Sequence, residues 1–259
     1  MTELSPQQRA AREKVCLPLD GLHSLAEVRE TVRELSPFVG RFKVGKESFT
    51  RFGPEVVTVV REHGAGVFLD LKYHDIPNTV KGASRAAAEL GVAMFNVHAG
   101  GGLTMMQAAR QGVDEAALPE GGKPKVVAVT VLTSIDEETL NRECGVPGPL
   151  EEHVLRLARL AETAGLDGIV CSAADLHALK DSLDPAFLFV TPGIKGTTTP
   201  AGADQKRVFS PGRAIAAGSS LLVVGRAITA APDRQAAARE VLQDIVNSLG
   251  MDWSPCPTC

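Results

Sequence analysis

Short apolar runs alternate with amphipathic segments along almost the whole chain. That alternation restricts the architecture more than any other feature. The runs fall at residues 15–20, 41–45, 66–71, 92–98, 125–132, 168–171, 187–191 and 221–224. Helical spacing follows each of them, after longer loops at the fifth and the seventh, at residues 25–35, 47–63, 77–90, 102–112, 150–164, 174–182, 212–217 and 235–249. Strands alternating with helices build parallel sheet. Parallel strands are covered on both faces, so they read as near-continuous apolar runs, as residues 126–131 do. Eight strand–helix units in about 240 residues predict an α/β chain folded as one (β/α)8 TIM barrel. An open doubly wound sheet is the alternative architecture. The single domain is expected over residues 1–259, with a polar extension at 1–14 and a loose tail from about residue 250.

Composition narrows the function classes. Aromatic residues make up 4%, with one Trp and one Tyr, so the core must be mainly aliphatic. The formal net charge of -4 offers no basic face for nucleic acid. A local pocket can still be cationic whatever the total charge. No stretch has the apolar length of a signal peptide or a membrane span, so a cytoplasmic location is expected. Cys16, Cys144 and Cys171 are scattered and are expected to be reduced there. Cys256 and Cys259 form a terminal C-x-x-C, but no second such pair completes a zinc site. They are read as part of the tail.

In a TIM barrel the chemistry sits at the C-terminal ends of the strands. Polar residues collect there: Asp20, Lys43, Asp70 with Lys72, Asn96 with His98, Thr133, Ser172, Lys195, and Gly225 with Arg226. Asp70 and Lys72 are two apart, so a regular strand projects both on one face. In a barrel that face is the lumen, where an unpaired charge is costly. The two are therefore expected to pair with each other or with Lys43 from the neighbouring strand. Asp75 follows in the loop. The D-x-K-x-x-D spacing alone is weak evidence, and a structural ion-pair network at the rim is the competing reading. Buried ion pairs seldom improve on apolar packing, which favours a chemical role.

Several segments, taken together, resemble the orotidine 5′-phosphate decarboxylase family. They are Leu19-Asp20, Phe42-Lys43-Val44-Gly45, the run from Leu69-Asp70-Leu71-Lys72 through Ile76-Pro77-Asn78-Thr79, Val131-Leu132-Thr133-Ser134, Thr191-Pro192-Gly193-Ile194-Lys195, Asp204-Gln205-Lys206-Arg207, and Val224-Gly225-Arg226. They occur in family order and span residues 15 to about 230. The resemblance implies a decarboxylase of orotidine 5′-phosphate that uses no cofactor and no metal. It implies that Lys72 protonates C6 of the pyrimidine, and that Lys43, Asp70 and Asp75 complete an alternating charge array. It implies a homodimer in which Asp75 and Thr79 come from the partner subunit. Asp20 and Lys43 match ribose-binding positions, and Thr133 matches a residue contacting the base. Gln205, Gly225 and Arg226 match the phosphate site and its closing loop. Lys195 falls at a substrate-contacting position where many bacterial members carry arginine. Lysine there keeps the charge and loses the planar fork.

The sequence fits these implications physically. The loops after strands seven and eight are the usual phosphate site of a TIM barrel. Here the first is Gly-rich with hydroxyls at Thr197, Thr198 and Thr199, and the second begins Gly225-Arg226. His98 is read as a satisfied lumen histidine, and His74 is given no role. Asp70 and Asp75 have lysines beside them that would compete with a bound cation. Two rival functions stay open. One is a Mg2+-dependent decarboxylase or aldolase acting on keto-sugar phosphates. The other is a non-catalytic phosphate- or nucleotide-binding barrel.

Overall fold

The computed structural model describes residues 4–119, 122–194 and 209–249. Its strands are β1 (Val15–Pro18), β2 (Arg41–Gly45), β3 (Gly66–Tyr73), β4 (Met94–His98), β5 (Lys125–Val129), β6 (Gly168–Val170), β7 (Leu188–Thr191) and β8 (Leu221–Val223). All pair in parallel and in chain order. The pairs Val15↔Leu222 and Cys16↔Val223 join β1 to β8 and close the barrel, which rules out an open sheet. The helices are α1 (Pro6–Arg12), α2 (Leu25–Leu35), α3 (Lys46–Phe52), α4 (Glu55–Glu62), α5 (Pro77–Glu89), α6 (Gly102–Asp114), α7 (Glu137–Arg142), α8 (Leu150–Thr163), α9 (Leu176–Lys180), α10 (Pro211–Ala216), α11 (Arg226–Thr229) and α12 (Arg234–Ser248).

Two apolar layers hold the barrel. Cys16, Phe68, Met94, Val127, Val190, Leu221 and Val223 fill the lumen. Their neighbours in sequence point outward to the helices, where Leu17, Phe42, Leu69, Phe95, Val126 and Ile169 are fully buried. This two-sided burial is why the strands carry no polar alternation. Each buried aliphatic side chain contributes roughly 1.5–3 kcal/mol.

Several boundaries differ from the sequence expectation. The helix expected over residues 47–63 is two helices. Gly53 ends α3 at φ 61, a conformation side chains resist, and Pro54 begins α4. The described part of the expected N-terminal extension is a capped helix. Ser5 Oγ accepts the Gln8 N–H, and Gln8 Oε1 accepts the Ser5 N–H. Helix α1 buries Ala11 and packs on α12. Strand β1 ends at Pro18 rather than Asp20, and β5 at Val129 rather than Leu132. Strand β3 runs further than expected, to Tyr73. Helix α7 was not expected, although Asp136 caps it by accepting the Thr139 N–H and Glu137 and Glu138 fill its first turn. No helix among the described residues is long and apolar enough to cross a membrane.

Candidate active site

The site is built where β1 to β4 end. In the register, Lys43 partners Phe68, and Phe68 partners Met94. Phe68 and Met94 face the lumen, so Lys43, the register partner of Phe68, faces it too, as do Asp70 and Asn96 two residues nearer the mouth. The apolar lumen thus ends in a charged layer.

The layer is a chain of alternating charges. Lys43 Nζ lies 3.0 Å from Asp20 Oδ2 and 3.2 Å from Asp70 Oδ2. Lys72 Nζ lies 2.5 Å from Asp70 Oδ1. Asn96 Nδ2 donates to the same oxygen at 2.6 Å. The sequence expectation that Lys72 and Lys43 meet Asp70 therefore holds. The geometry that joins Lys72 to Asp70 differs from a regular strand. Pairing of β3 with β4 runs Leu69↔Phe95 and then Tyr73↔Val97, so Asp70, Leu71 and Lys72 face Asn96 alone. This is a β-bulge, and Lys72 within it has φ 54, unlike every other non-glycine described residue. Such a backbone costs on the order of 1–3 kcal/mol and is concentrated at functional sites.

The surroundings keep the array charged. Burial alone would lower the Lys43 pKa, but the carboxylates of Asp70 and Asp20 outweigh it and hold the ammonium above its ordinary value. Burial alone would raise the Asp70 pKa. Lys43, Lys72 and the Asn96 amide outweigh it and hold the carboxyl below its ordinary range. Gly45 is packed beneath: a Cβ there would lie 2.6 Å from Asp20 Oδ1 and 2.9 Å from Lys43 Nζ. At the edge, the His98 ring lies 5.4 Å from that of His74. Burial, then His74, Lys46 and Lys72, push the His98 pKa down, which favours the neutral ring. Below the array, burial pushes the Cys16 thiol up to about 12, so it stays protonated.

The other expected residues sit around this mouth. Asp75 is exposed, and its Oδ1 accepts the Ile76 N–H at 2.6 Å. Among the described residues it forms no ion pair with Lys72 or Lys43 of the same chain. Thr79 is exposed in the first turn of α5, and Thr133 is exposed in the loop after β5. Gly225 precedes α11, and Arg226 opens it at the end of β8. A Cβ at Gly225 would lie 3.2 Å from Pro18 of β1, so the β8 loop packs closely over the first strand. Lys195 and Gln205 lie outside the described residues, as do Cys256 and Cys259. Among the described residues, no group of three or more His, Cys, Asp or Glu side chains could hold a metal ion. Asn96, which the strand-end argument noted without a role, turns out to bridge the array. Its signal in sequence was a polar residue inside the apolar run Met94-Phe95-Asn96-Val97.

A closed (β/α)8 barrel whose mouth carries paired lysines and carboxylates defines a barrel enzyme of the lysine–carboxylate type. More narrowly, the chain belongs to the orotidine 5′-phosphate decarboxylase / HUMPS family, whose family model matches residues 13–241. It is 49% identical over 239 residues to the orotidine 5′-phosphate decarboxylase of Moorella thermoacetica, covering 91% of this chain and 93% of that one. It is likewise 49% identical over 238 residues to the enzyme of that name from Syntrophus aciditrophicus, covering 92% and 94%. The crystal structure of orotidine 5′-phosphate decarboxylase from Lactobacillus acidophilus superposes with a TM-score of 0.79 at 38% identity, covering 90% of this chain and 99% of that one.

Proposed function

We propose that this chain decarboxylates orotidine 5′-phosphate to uridine 5′-phosphate and CO2, the last step of UMP synthesis, without a cofactor. The observation that carries the reading is the Asp20–Lys43–Asp70–Lys72 array at the lumen mouth of a family barrel. When the C6–carboxylate bond breaks, CO2 leaves and the electron pair stays on C6. No ring orbital accepts that pair, so a fixed cation must stabilise it. The Lys72 ammonium does so and donates its proton to C6, and it is recharged from solvent. Lys72 has three donors and Asp70 engages one of them, which leaves others for the substrate. Asp70 stands where the substrate carboxylate leaves, so repulsion between them ends as CO2 departs. Lys43 and Asp20 bind the ribose hydroxyls as one donor–acceptor pair.

The rest of the substrate supplies remote binding energy for the reacting centre. Thr133 contacts the base. Arg226 and the Gly225 N–H bind phosphate at the end of β8, joined by Gln205 and Lys195. The site is completed in a homodimer, in which the partner copy contributes Asp75 and Thr79. Supporting this, residues 74–79 are all exposed in the single chain, and Ile76 is 67% exposed. An apolar side chain so exposed beside a charged cleft suits an interface. The free Cys16, Cys144 and Cys171 suit a reducing cytoplasm.

The test is the loss of the orotate ultraviolet absorbance when the purified chain meets orotidine 5′-phosphate, with and without chelator. We expect turnover that chelator leaves unchanged. Lys72→Ala should lower kcat by at least about 10^3-fold while leaving the far-ultraviolet circular dichroism spectrum unchanged. No change in absorbance with well-folded protein, together with Mg2+-dependent turnover of a keto-sugar phosphate, would return the reading to keto-sugar phosphates. Substrate binding with no turnover would leave a non-catalytic barrel.

A further inference from the structure

We infer that Asn96 is the positioning residue of the array, an amide inserted into the β3–β4 ladder that fixes both Lys72 and Asp70. The inference rests on the decarboxylase reading and assigns a role within it. At the bulge, the peptide groups of β3 lose their regular partners on β4. The Asn96 side chain takes their place. Its Oδ1 accepts the Lys72 N–H at 2.8 Å, and its Nδ2 donates to Asp70 Oδ1 at 2.6 Å. It is 1% exposed, so water cannot substitute for either bond. Both ends of one rigid planar group are thus used. One end stabilises the positive φ of Lys72, and the other turns the Asp70 carboxylate toward Lys72 Nζ.

The chemistry requires this shape. An aspartate side chain accepts at both ends and offers Asp70 no donor when ionised. Leucine fills the volume and makes neither bond. Serine is too short to span both partners. A carboxamide at this position is therefore a specific solution and not a filler. Its removal would release the backbone that aims Lys72, with the phosphate-binding end of the pocket untouched.

The experiment compares wild type, Asn96→Leu and Asn96→Asp. Leucine separates shape from bonding, because it keeps the volume of the amide and removes both hydrogen bonds. We expect Asn96→Leu to unfold at a lower Tm, because two buried partners each lose a bond, yet to stay folded at the assay temperature and bind uridine 5′-phosphate within about twofold. Its kcat should fall roughly 10- to 100-fold, the effect of losing hydrogen bonds to a charged group and of a misaimed ammonium. Amide hydrogen exchange at Lys72 should accelerate in the same variant.

Asn96→Asp has a distinct signature. It places two carboxyls together, which then share a proton with one pKa raised. The protonated pair restores the donor to Asp70. Relative to wild type, its kcat should therefore recover as pH falls, whereas a packing defect gives a pH-independent loss. Full kcat in Asn96→Leu, with wild-type turnover confirmed, would overturn the role of Asn96 alone. Unchanged Lys72 amide exchange in that variant would overturn it as well. A wild type that fails to consume orotidine 5′-phosphate would overturn the decarboxylase reading, and the placement of Asn96 in that reaction with it.

Discussion

Lys43 reaches across the β2–β3 boundary to Asp70, its Nζ 3.2 Å from Oδ2, in a layer where water is largely excluded. Each side chain shifts the other. Asp70 titrates below its ordinary 3.8 despite burial, because Lys43, Lys72 and Asn96 favour the carboxylate. A depressed carboxyl contributes stability above its unfolded pKa, and that contribution is lost as pH falls through the folded value. Lys43 titrates above its ordinary 10.5 despite burial, because Asp70 and Asp20 favour the ammonium. A raised ammonium contributes stability below its unfolded pKa, lost as pH rises through the folded one.

The pair should therefore stabilise the fold over a plateau bounded by acid and strong base. Asp70→Asn is expected to lower stability at neutral pH by about 1–3 kcal/mol, since Lys43 keeps Asp20 as a partner. The Tm difference from wild type should stay constant across neutral pH and shrink as pH falls below about 4, where the unfolded chain's carboxyl takes up its proton before the folded Asp70 does. Thermal unfolding at a series of pH values measures this. A difference that persists undiminished at acid pH would show that the charge of Asp70 is not the stabilising feature.

Gly45 makes a second, sharper prediction. Alanine is a mild change at most buried strand positions. Here its methyl would sit 2.6 Å from Asp20 Oδ1 and 2.9 Å from Lys43 Nζ. Both ends of the Asp20–Lys43 pair would have to move. Gly45→Ala should therefore lower kcat/KM about 10- to 100-fold by displacing the Asp20–Lys43 pair, for which ribose binding is proposed, with the barrel still folded. Steady-state kinetics beside far-ultraviolet circular dichroism would separate the two effects. Unaltered kinetics would mean that the pair adapts and that its geometry is not critical.

The opposite end of the barrel should respond differently. Asp167 lies just before β6 and accepts from the Val126 N–H at 2.8 Å and Lys125 Nζ at 3.0 Å. Arg110, from α6, also binds it. Burial would raise its pKa, but the Val126 N–H, Lys125 and Arg110 outweigh that and hold it down. This network joins β5, β6 and a surrounding helix at the N-terminal face, where TIM barrels keep stability rather than chemistry. Asp167→Ala should cost about 2–3 kcal/mol, because it leaves the Val126 N–H without its acceptor and takes from Arg110 its carboxylate, leaving that guanidinium only the Gly165 carbonyl. Its kcat/KM should match wild type at a temperature where both are folded. Chemical denaturation and kinetics on the same sample decide the point.

How far these features were legible in the sequence varies with their physical origin. Burial on both faces writes itself into composition, so all eight strands were visible as apolar runs. Their ends were not, because the ladder stops where the barrel geometry stops, as at Pro18 and Val129. The break at Gly53-Pro54 was visible as a dipeptide but was outweighed by the helical spacing on either side. Lys43, Asp70 and Lys72 were found because charge in an apolar run is conspicuous. The bulge that joins them was not, since Lys72 reads as an ordinary strand residue until its φ of 54 is known. Asn96 shows the same limit. Its polarity was plain, but its two partners follow from register, which no local pattern encodes.

Asp75 supplies the last prediction. It belongs to the D-x-K-x-x-D run yet stands exposed, without an ion pair to Lys72 of its own chain. If the partner copy completes each site, Lys72 and Asp75 of one site lie on different chains. Lys72→Ala and Asp75→Asn homodimers should then both be inactive, because each site lacks one group. Mixing the two variants under exchange should restore activity. In a heterodimer, the Asp75→Asn chain provides an intact Lys72, and its Lys72→Ala partner provides an intact Asp75. One of its two sites is whole, and the other lacks both groups. Random exchange at equal concentrations makes half the dimers mixed, so about a quarter of wild-type activity should return. The regained kcat should be independent of substrate concentration above saturation and should fall on dilution below the dimer dissociation constant. If mixing restores nothing while size-exclusion chromatography shows exchanged dimers, Asp75 acts within its own chain. The exposed segment around Ile76 would then need another explanation.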